Sequence, residues 1–278
     1  MKVIKDTGEE ENFSKDKFCS SLRDAGAPEK LVGTVCSTVE KELEPGVTTS
    51  EIFRRASQYL VKENLYVAGR YNLKKGMREL GPAGFLFEQF LEVILKSMGY
   101  TTKRNVMMEG ECVPHEIDVI AKKDGNHYLI EAKYHNMRGA KIHIDTTMYA
   151  DARLEDIYRL QEVKEREQAT HSMWLITNTK FTSKAITYGK CRGIKMTGWD
   201  YPGKDSLAKI ISEHVLYPVT VLPSIDKDSL QKLAKFNMML AQDIVPHSAQ
   251  ELIKQYEINE AIAGNIVKEA SALVYGDK

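Results

Sequence analysis

The sequence predicts a multi-domain α/β protein: a small, mostly helical first segment (1–80), a central mixed sheet flanked by helices (81–217) and an all-α last segment (218–278). Three observations carry this prediction. The length of 278 residues, at roughly 100–200 residues per domain, accommodates two or three domains. Gly81-Pro82-Ala83-Gly84 interrupts a helical pattern and marks a boundary. Strand-like runs concentrate in the middle of the chain, and the last sixty or so residues read as helix throughout.

The elements follow in order. Lys2-Val3-Ile4-Lys5 reads as a short strand, with a turn at Gly8 and a second short stretch to Phe13. Helices then alternate with breaks at Gly26-Ala27-Pro28 and Pro45-Gly46. Thr48-Thr49-Ser50-Glu51 is a helix start, because a hydroxyl caps free amides and a nearby Glu suits the positive end. After Gly84, Leu86, Phe87, Phe90, Leu91, Ile94, Leu95 and Met98 recur at spacings of three and four, which predicts an amphipathic helix ending at Gly99-Tyr100. Strands follow around 101–108, 116–122 and 128–133, with a hairpin turn at Asp124-Gly125. A long polar helix is predicted over 154–169 and a buried strand over 173–177. A helix over 183–191 and a strand over 194–197 complete a crossover within a mixed sheet. The last segment predicts helices over 228–236, 239–243, 249–255 and 260–274.

Composition excludes several classes. No apolar run approaches the roughly 20 residues needed to span a bilayer, and the polar, acidic start is no signal peptide. Cys19, Cys36, Cys112 and Cys191 form no CxxC pair, so reduced thiols in a cytoplasmic protein are expected rather than a disulfide scaffold. The seven histidines show no paired metal spacing. Basic and acidic residues balance at 14 to 13 in 1–80, 19 to 18 in 81–217 and 6 to 8 in 218–278. Phosphate neutralisation supplies most non-specific DNA affinity, so any nucleic-acid contact here rests on a local patch.

The chemistry concentrates in the central segment. Pro114-His115-Glu116-Ile117-Asp118-Val119-Ile120 sets a carboxylate inside an apolar strand, and Ile130-Glu131-Ala132-Lys133 follows across the hairpin turn. Alternate strand residues share a face, so Glu131 and Lys133 point the same way, and hairpin pairing can bring Asp118 beside them. Two carboxylates and an ammonium at one sheet edge are expensive unless a cation and a substrate lie between them. Hard ions such as Mg²⁺ take oxygen ligands, often one or two carboxylates plus substrate phosphate. The null alternative is a plain cross-strand ion pair on a solvated face.

This arrangement resembles the PD-(D/E)xK nuclease superfamily, with Asp118 as the aspartate and Glu131-Ala132-Lys133 as the ExK motif. The helix from Gly84 through Tyr100 and the later stretch from Trp174-Leu175-Ile176-Thr177-Asn178 to Gly193-Ile194 are similar to Mrr-like restriction endonuclease domains. The proline here does not directly precede the aspartate. The resemblance covers about 81–205 and implies Mg²⁺- or Mn²⁺-assisted phosphodiester hydrolysis in DNA. It implies Asp118, Glu131 and Glu88 as metal ligands, and Lys133 acting on water or on transition-state charge. His115 and Gln161 are possible accessory residues, and Tyr134-His135-Asn136 offers phosphate contacts.

The flanking segments carry resemblances of their own. Val3-Ile4-Lys5, Gly8, Phe13, Lys17, Ala25-Gly26, Thr49, Glu51-Ile52 and Ala68-Gly69-Arg70-Tyr71 resemble the ATP-cone, which implies ATP or dATP as an effector held by Val3, Lys5 and Lys17. Where that family usually has a second basic residue, this chain has Asp6. A helical domain used only for dimerisation or docking is the alternative. The last segment resembles a tandem helix-hairpin-helix module, although Ser224 and Glu257 stand near the places of the hairpin glycines. The expectation is a cytoplasmic, homo-oligomeric DNA endonuclease with DNA and an adenine nucleotide as partners and no membrane. The rival is a non-catalytic, nucleotide-responsive regulator that binds DNA or proteins. A nucleotide-binding repressor of the zinc-ribbon type lacks its paired cysteines here.

Overall fold

The structure is a computed structural model that describes residues 1–5, 8–81, 85–163 and 171–276, with only the backbone described for 161–163. In chain order the elements begin with β1 (Lys2–Ile4), β2 (Glu10–Asn12), α1 (Lys15–Asp24), α2 (Glu29–Lys41), α3 (Thr49–Glu63) and α4 (Leu65–Arg78). Next come α5 (Phe85–Ser97), β3 (Thr101–Glu109), β4 (Pro114–Lys123), β5 (Asn126–Lys133), β6 (Lys141–Ile142) and α6 (Ile144–Val163). Then follow β7 (His171–Thr177), β8 (Lys180–Phe181), α7 (Ser183–Cys191), β9 (Lys195–Thr197) and α8 (Leu207–Glu213). The chain ends with α9 (Lys227–Lys235), α10 (Ala241–Ile244), α11 (Ala249–Tyr256) and α12 (Glu260–Tyr275). No helix among the described residues is long and apolar enough to cross a membrane.

Residues Arg78–Leu216 form one compact unit. Its five-stranded sheet has the order β3-β4-β5-β7-β9. The first three strands are an antiparallel meander, and β7 and β9 add in parallel. β3 alternates exposed and half-buried residues along its whole length, as an edge strand should, whereas β7 is buried from Met173 to Thr177. Trp174 and Ile176 line a small apolar space with Leu91, Ile94 and Leu95 of α5 and Leu207 of α8. Met173 and Leu175 instead join Ala150 and Ile157 of α6 and Ala185 of α7 in the other half of the core. The sheet therefore lies between two helical layers. The hairpin turn at Asp124-Gly125 has both residues at positive φ, as a tight hairpin requires.

The helix expected over 154–169 begins ten residues earlier, at Ile144. It presents Thr147, Ala150, Asp151 and Ile157 to the interior at helical spacing. Two of those positions are polar, so the stripe is not apolar in the sequence. Asp151 is stabilised there by Tyr188 Oη at 2.7 Å and Arg192 Nε at 2.6 Å. Residues 164–169 of the expected helix lie outside the described residues.

Met1–Met77 and Tyr217–Lys278 together form the second compact unit, where the sequence reads two separate segments. The grouping has a packing cause. A methyl group on Gly69 of α4 would meet Leu273 Cδ1 of α12 at 2.6 Å, and one on Gly76 would meet Val221 Cγ1 at 2.8 Å. Thr220 Oγ1 donates to the Gly76 carbonyl at 2.9 Å. The amphipathic helices of both segments thus complete each other's burial.

Two further expectations change. Cys19 and Cys36, expected as reduced thiols, form a disulfide with Cα atoms 5.9 Å apart. The turn at Gly26, with φ +86°, folds α1 back along α2 and brings the two cysteines together. Ser224 is the second. Its amide and hydroxyl both donate to the buried Glu269 carboxylate, at 2.9 and 2.7 Å. The amide that a helix-hairpin-helix reading offers to phosphate is already donated within the unit. The α11–α12 turn nonetheless takes the left-handed conformation at Glu257, φ +55°, without glycine.

Candidate active site

Asp118 sits in β4 where its pairing with β5 stops. The ladder runs from Lys123↔Asn126 to Val119↔Ile130. Beyond it, Asp118 Oδ2 accepts the Ala132 amide at 2.7 Å, so a carboxylate takes the place of a backbone acceptor. The β5–β7 ladder continues through Lys133↔Thr177, which keeps Glu131 and Lys133 on a rigid central strand.

Glu131 is buried at 3% exposure. Its Oε1 pairs with Lys133 Nζ and its Oε2 with Arg153 Nη1 of α6. The same Arg153 nitrogen donates to the Glu116 carbonyl at 3.0 Å, and Nη2 donates to Tyr149 Oη at 3.0 Å. Burial, followed by the charge of Glu131, pushes Asp118 up to about 7, with Glu88 adding to the effect. Burial raises Glu88 as well, and the nearby Glu116 and Glu131 charges add to it. The carboxyl groups of Glu88, Asp118 and Glu131 are therefore close enough to oppose one another's ionisation.

Burial and the charges of Glu131 and Glu88 outweigh the nearby Lys133 at Asp118, so the carboxyl gains from a further positive charge. The three carboxylates are oxygen donors on three different elements, α5, β4 and β5. That chemistry fits a hard divalent cation.

Other expected residues lie elsewhere. His115 is turned away to α6, with Nε2 2.8 Å from Asp156 Oδ2, so it is not an accessory residue of the Asp118 cluster. Gln161 lies in α6, and its side chain is outside the described residues. Tyr134 packs on Phe87 with ring centroids 5.6 Å apart and donates its hydroxyl to the Arg78 carbonyl, so that hydroxyl is engaged in packing. Asn178 holds His135 by both backbone groups, at 2.9 and 2.8 Å. Burial lowers the His135 pKa, and the Lys133 charge lowers it further.

Among the nucleotide candidates, Val3 is buried at 2% exposure and serves the core. Lys5 lies between Glu9 and Glu11, at 3.3 and 3.4 Å. Lys17 is exposed on α1, and its amide caps on Ser14 Oγ at 3.3 Å. Asp6 lies outside the described residues.

Sequence reasoning misses Arg153. The signal was its place three residues after Ala150 and four before Ile157, on the inward side of a helix. An arginine there needs a buried acidic partner. Reading the helix from Leu154 hid that position.

Residues 82–200 match the family described as restriction endonuclease, and residues 217–274 match the one described as AF1548-like, C-terminal. A solved structure titled "Crystal Structure of Protein of Unknown Function AF1548" is 33% identical, with a TM-score of 0.58, and 99% of it is covered by 69% of this chain. The chain belongs to the AF1548-like family. A further relative of this AF1548-like chain is an uncharacterized protein of Archaeoglobus fulgidus, 35% identical over 181 residues, which span 98% of that protein and 65% of this chain. The restriction endonuclease match points to a nuclease and so to a hydrolase. It spans Glu88, Asp118, Glu131, Lys133 and Arg153 of the AF1548-like protein. The AF1548-like, C-terminal match covers the segment that the sequence likened to a helix-hairpin-helix module.

Proposed function

We propose that the central unit is a metal-dependent DNA endonuclease that hydrolyses phosphodiester bonds at Asp118, Glu131 and Lys133. The observation that carries the reading is the Asp118 carboxyl, half-buried beside Glu131, on the Ala132 amide and pushed up to about 7. Asp118, Glu131 and Glu88 would hold Mg²⁺ or Mn²⁺. When bound, such an ion lowers the pKa of a coordinated water and stabilises negative charge on phosphoryl oxygens.

The chain's own groups account for the rest. Lys133 Nζ, held on Glu131 Oε1 and partly exposed, is the cation available to growing phosphoryl charge. Arg153 orients Glu131 from the other side. The Ala132 amide fixes one Asp118 oxygen, which leaves the carboxyl a single orientation. The resemblance of the first segment adds ATP or dATP as an effector acting through oligomeric state. For this, a phosphate has to take Lys5 from Glu9 and Glu11.

The test is cleavage of plasmid and branched DNA with Mg²⁺ or Mn²⁺ by wild type and Asp118→Ala, with and without ATP and with sedimentation in parallel. Metal-dependent cutting lost in Asp118→Ala supports the reading. Absence of cutting by both proteins, with no metal bound in the presence of DNA, leaves the non-catalytic regulator. Nucleotide that changes neither cleavage nor sedimentation removes the effector role.

A further inference from the structure

The turn between β3 and β4 carries Glu111-Cys112-Val113, His115 follows at the start of β4, and Asp156 of α6 reaches into the turn. Donor atoms of Glu111, Cys112 and Asp156 all lie within 4.8 Å of one another. His115 Nε2 is 2.8 Å from Asp156 Oδ2. Zinc ligands sit about 2.0–2.3 Å from the ion, so tetrahedral donors are separated by roughly 3–4 Å. The donors of Glu111, Cys112 and Asp156 need to contract by about an ångström to meet that spacing, and the His115 ring reaches the group through Asp156.

An anchoring role accounts for only part of this arrangement. Asp156 accepts the Cys112 amide at 2.9 Å and the Val113 amide at 3.4 Å, which ties the turn to the helix. The turn closes so tightly that a methyl group on Gly110 would meet Asp156 Oδ2 at 2.0 Å. A loop anchor requires the aspartate alone. It does not explain why a thiol and an imidazole, three residues apart in the chain, both turn onto the same carboxylate.

We propose that Cys112, His115 and Asp156, with Glu111 as the fourth donor, form a binding site for a divalent transition metal such as Zn²⁺, separate from the Asp118 cluster. One sulfur, one nitrogen and two oxygen donors select a borderline-soft ion, whereas Glu88, Asp118 and Glu131 offer oxygen alone. The two sites therefore sort metals by chemistry. Asp156 is one helical turn beyond Arg153 on α6. An ion joining Asp156 to the β3–β4 turn braces the helix that holds Arg153 against Glu131. The proposal stands whether or not the Asp118 cluster is catalytic.

The experiment uses the full chain, stripped with chelator and titrated with Co²⁺, whose thiolate charge-transfer absorption reports a sulfur ligand. Wild type should show that band, and Zn²⁺ should abolish it by displacement. Asp118→Ala should keep the band. Cys112→Ser should lose it while keeping its far-ultraviolet circular dichroism, because Cys112 is exposed. His115→Ala should weaken Co²⁺ binding by roughly 10–100-fold or more, since even outer-shell partners of a metal are worth that much. No thiolate band in wild type, or a band that survives Cys112→Ser and so arises at another cysteine, overturns the proposal.

Discussion

Asp118→Asn should stabilise the protein freed of divalent metal while destroying its metal response. The wild-type carboxyl is pushed up to about 7 from an ordinary 3.8, first by burial and then by Glu131. A carboxyl raised in the folded state costs nothing below its unfolded pKa, because both states are protonated there. The cost grows as pH rises from about 4 to 7 and is complete above 7. At 1.36 kcal/mol per pH unit, a displacement of about three units sets a ceiling near 4 kcal/mol. Solvent reaches this half-buried group, so about 1–3 kcal/mol is the expected gain on neutralisation. The Asn side-chain oxygen can still accept the Ala132 amide, so the substitution removes charge and keeps the hydrogen bond.

At roughly 2–4 °C per kcal/mol for a domain of this size, the variant should melt several degrees above wild type at pH 8 in chelator. The difference should shrink towards zero as pH approaches 4. Added Mg²⁺ or Mn²⁺ should raise the wild-type Tm and leave the variant where it was. Thermal melts across that pH range, with chelator and then with metal, decide the matter. A variant that melts at or below wild type at pH 8 without metal refutes the argument that burial and the neighbouring carboxylates make the Asp118 charge costly.

Three other outcomes are expected. Lys133→Met should lower kcat for DNA cleavage by ~10²-fold or more with KM little changed, because it removes charge stabilisation that matters most in the transition state; an equal loss in KM instead would assign Lys133 to substrate binding. Arg104→Met should destabilise the central unit by about 2–4 kcal/mol in urea denaturation, because it removes the closest charged partner of a buried carboxylate and leaves Lys96 and the Thr102 hydroxyl. That carboxylate is Glu92, 7% exposed and paired with Arg104 Nε at 2.6 Å and Lys96 Nζ at 3.0 Å. In the other unit, Gly76→Ala should cost about 1–3 kcal/mol, since the new methyl meets Val221 Cγ1 at 2.8 Å and the Val221 amide nitrogen at 3.0 Å, where backbone cannot yield. Gly33→Ala, in open space on α2, should instead add about 0.5–1 kcal/mol, and matched melts of the two variants check the contrast.

Much of the central unit is legible in the chain. Alternation in β4, the Asp124-Gly125 turn and the three-and-four spacing of Phe87, Phe90, Leu91, Ile94 and Leu95 are local signals, and each lies where the pattern puts it. The helix that became α6 was misread because Thr147 and Asp151 occupy inward positions and hide the apolar stripe. The same misreading hid Arg153. His115, an accessory candidate in the sequence, has its ring on Asp156, 41 residues further along, a pairing no local pattern shows.

By itself the sequence determined what depends on near neighbours. The mixed α/β architecture, the placing of Glu131 and Lys133 two residues apart on one apolar strand, and the aspartate across a hairpin turn all follow from periodicity and turn chemistry. Only the tertiary structure decided what depends on residues far apart in the chain. It joined the first and last segments through Gly69, Gly76, Val221 and Leu273, because amphipathic helices must bury their faces and no local rule says against which partner. It joined Cys19 to Cys36 through the fold of one helix back on another. It also set the Asp118 pKa, since burial and the distances to Glu131 and Glu88 are properties of packing, and desolvation acts only once the chain has closed around the carboxyl.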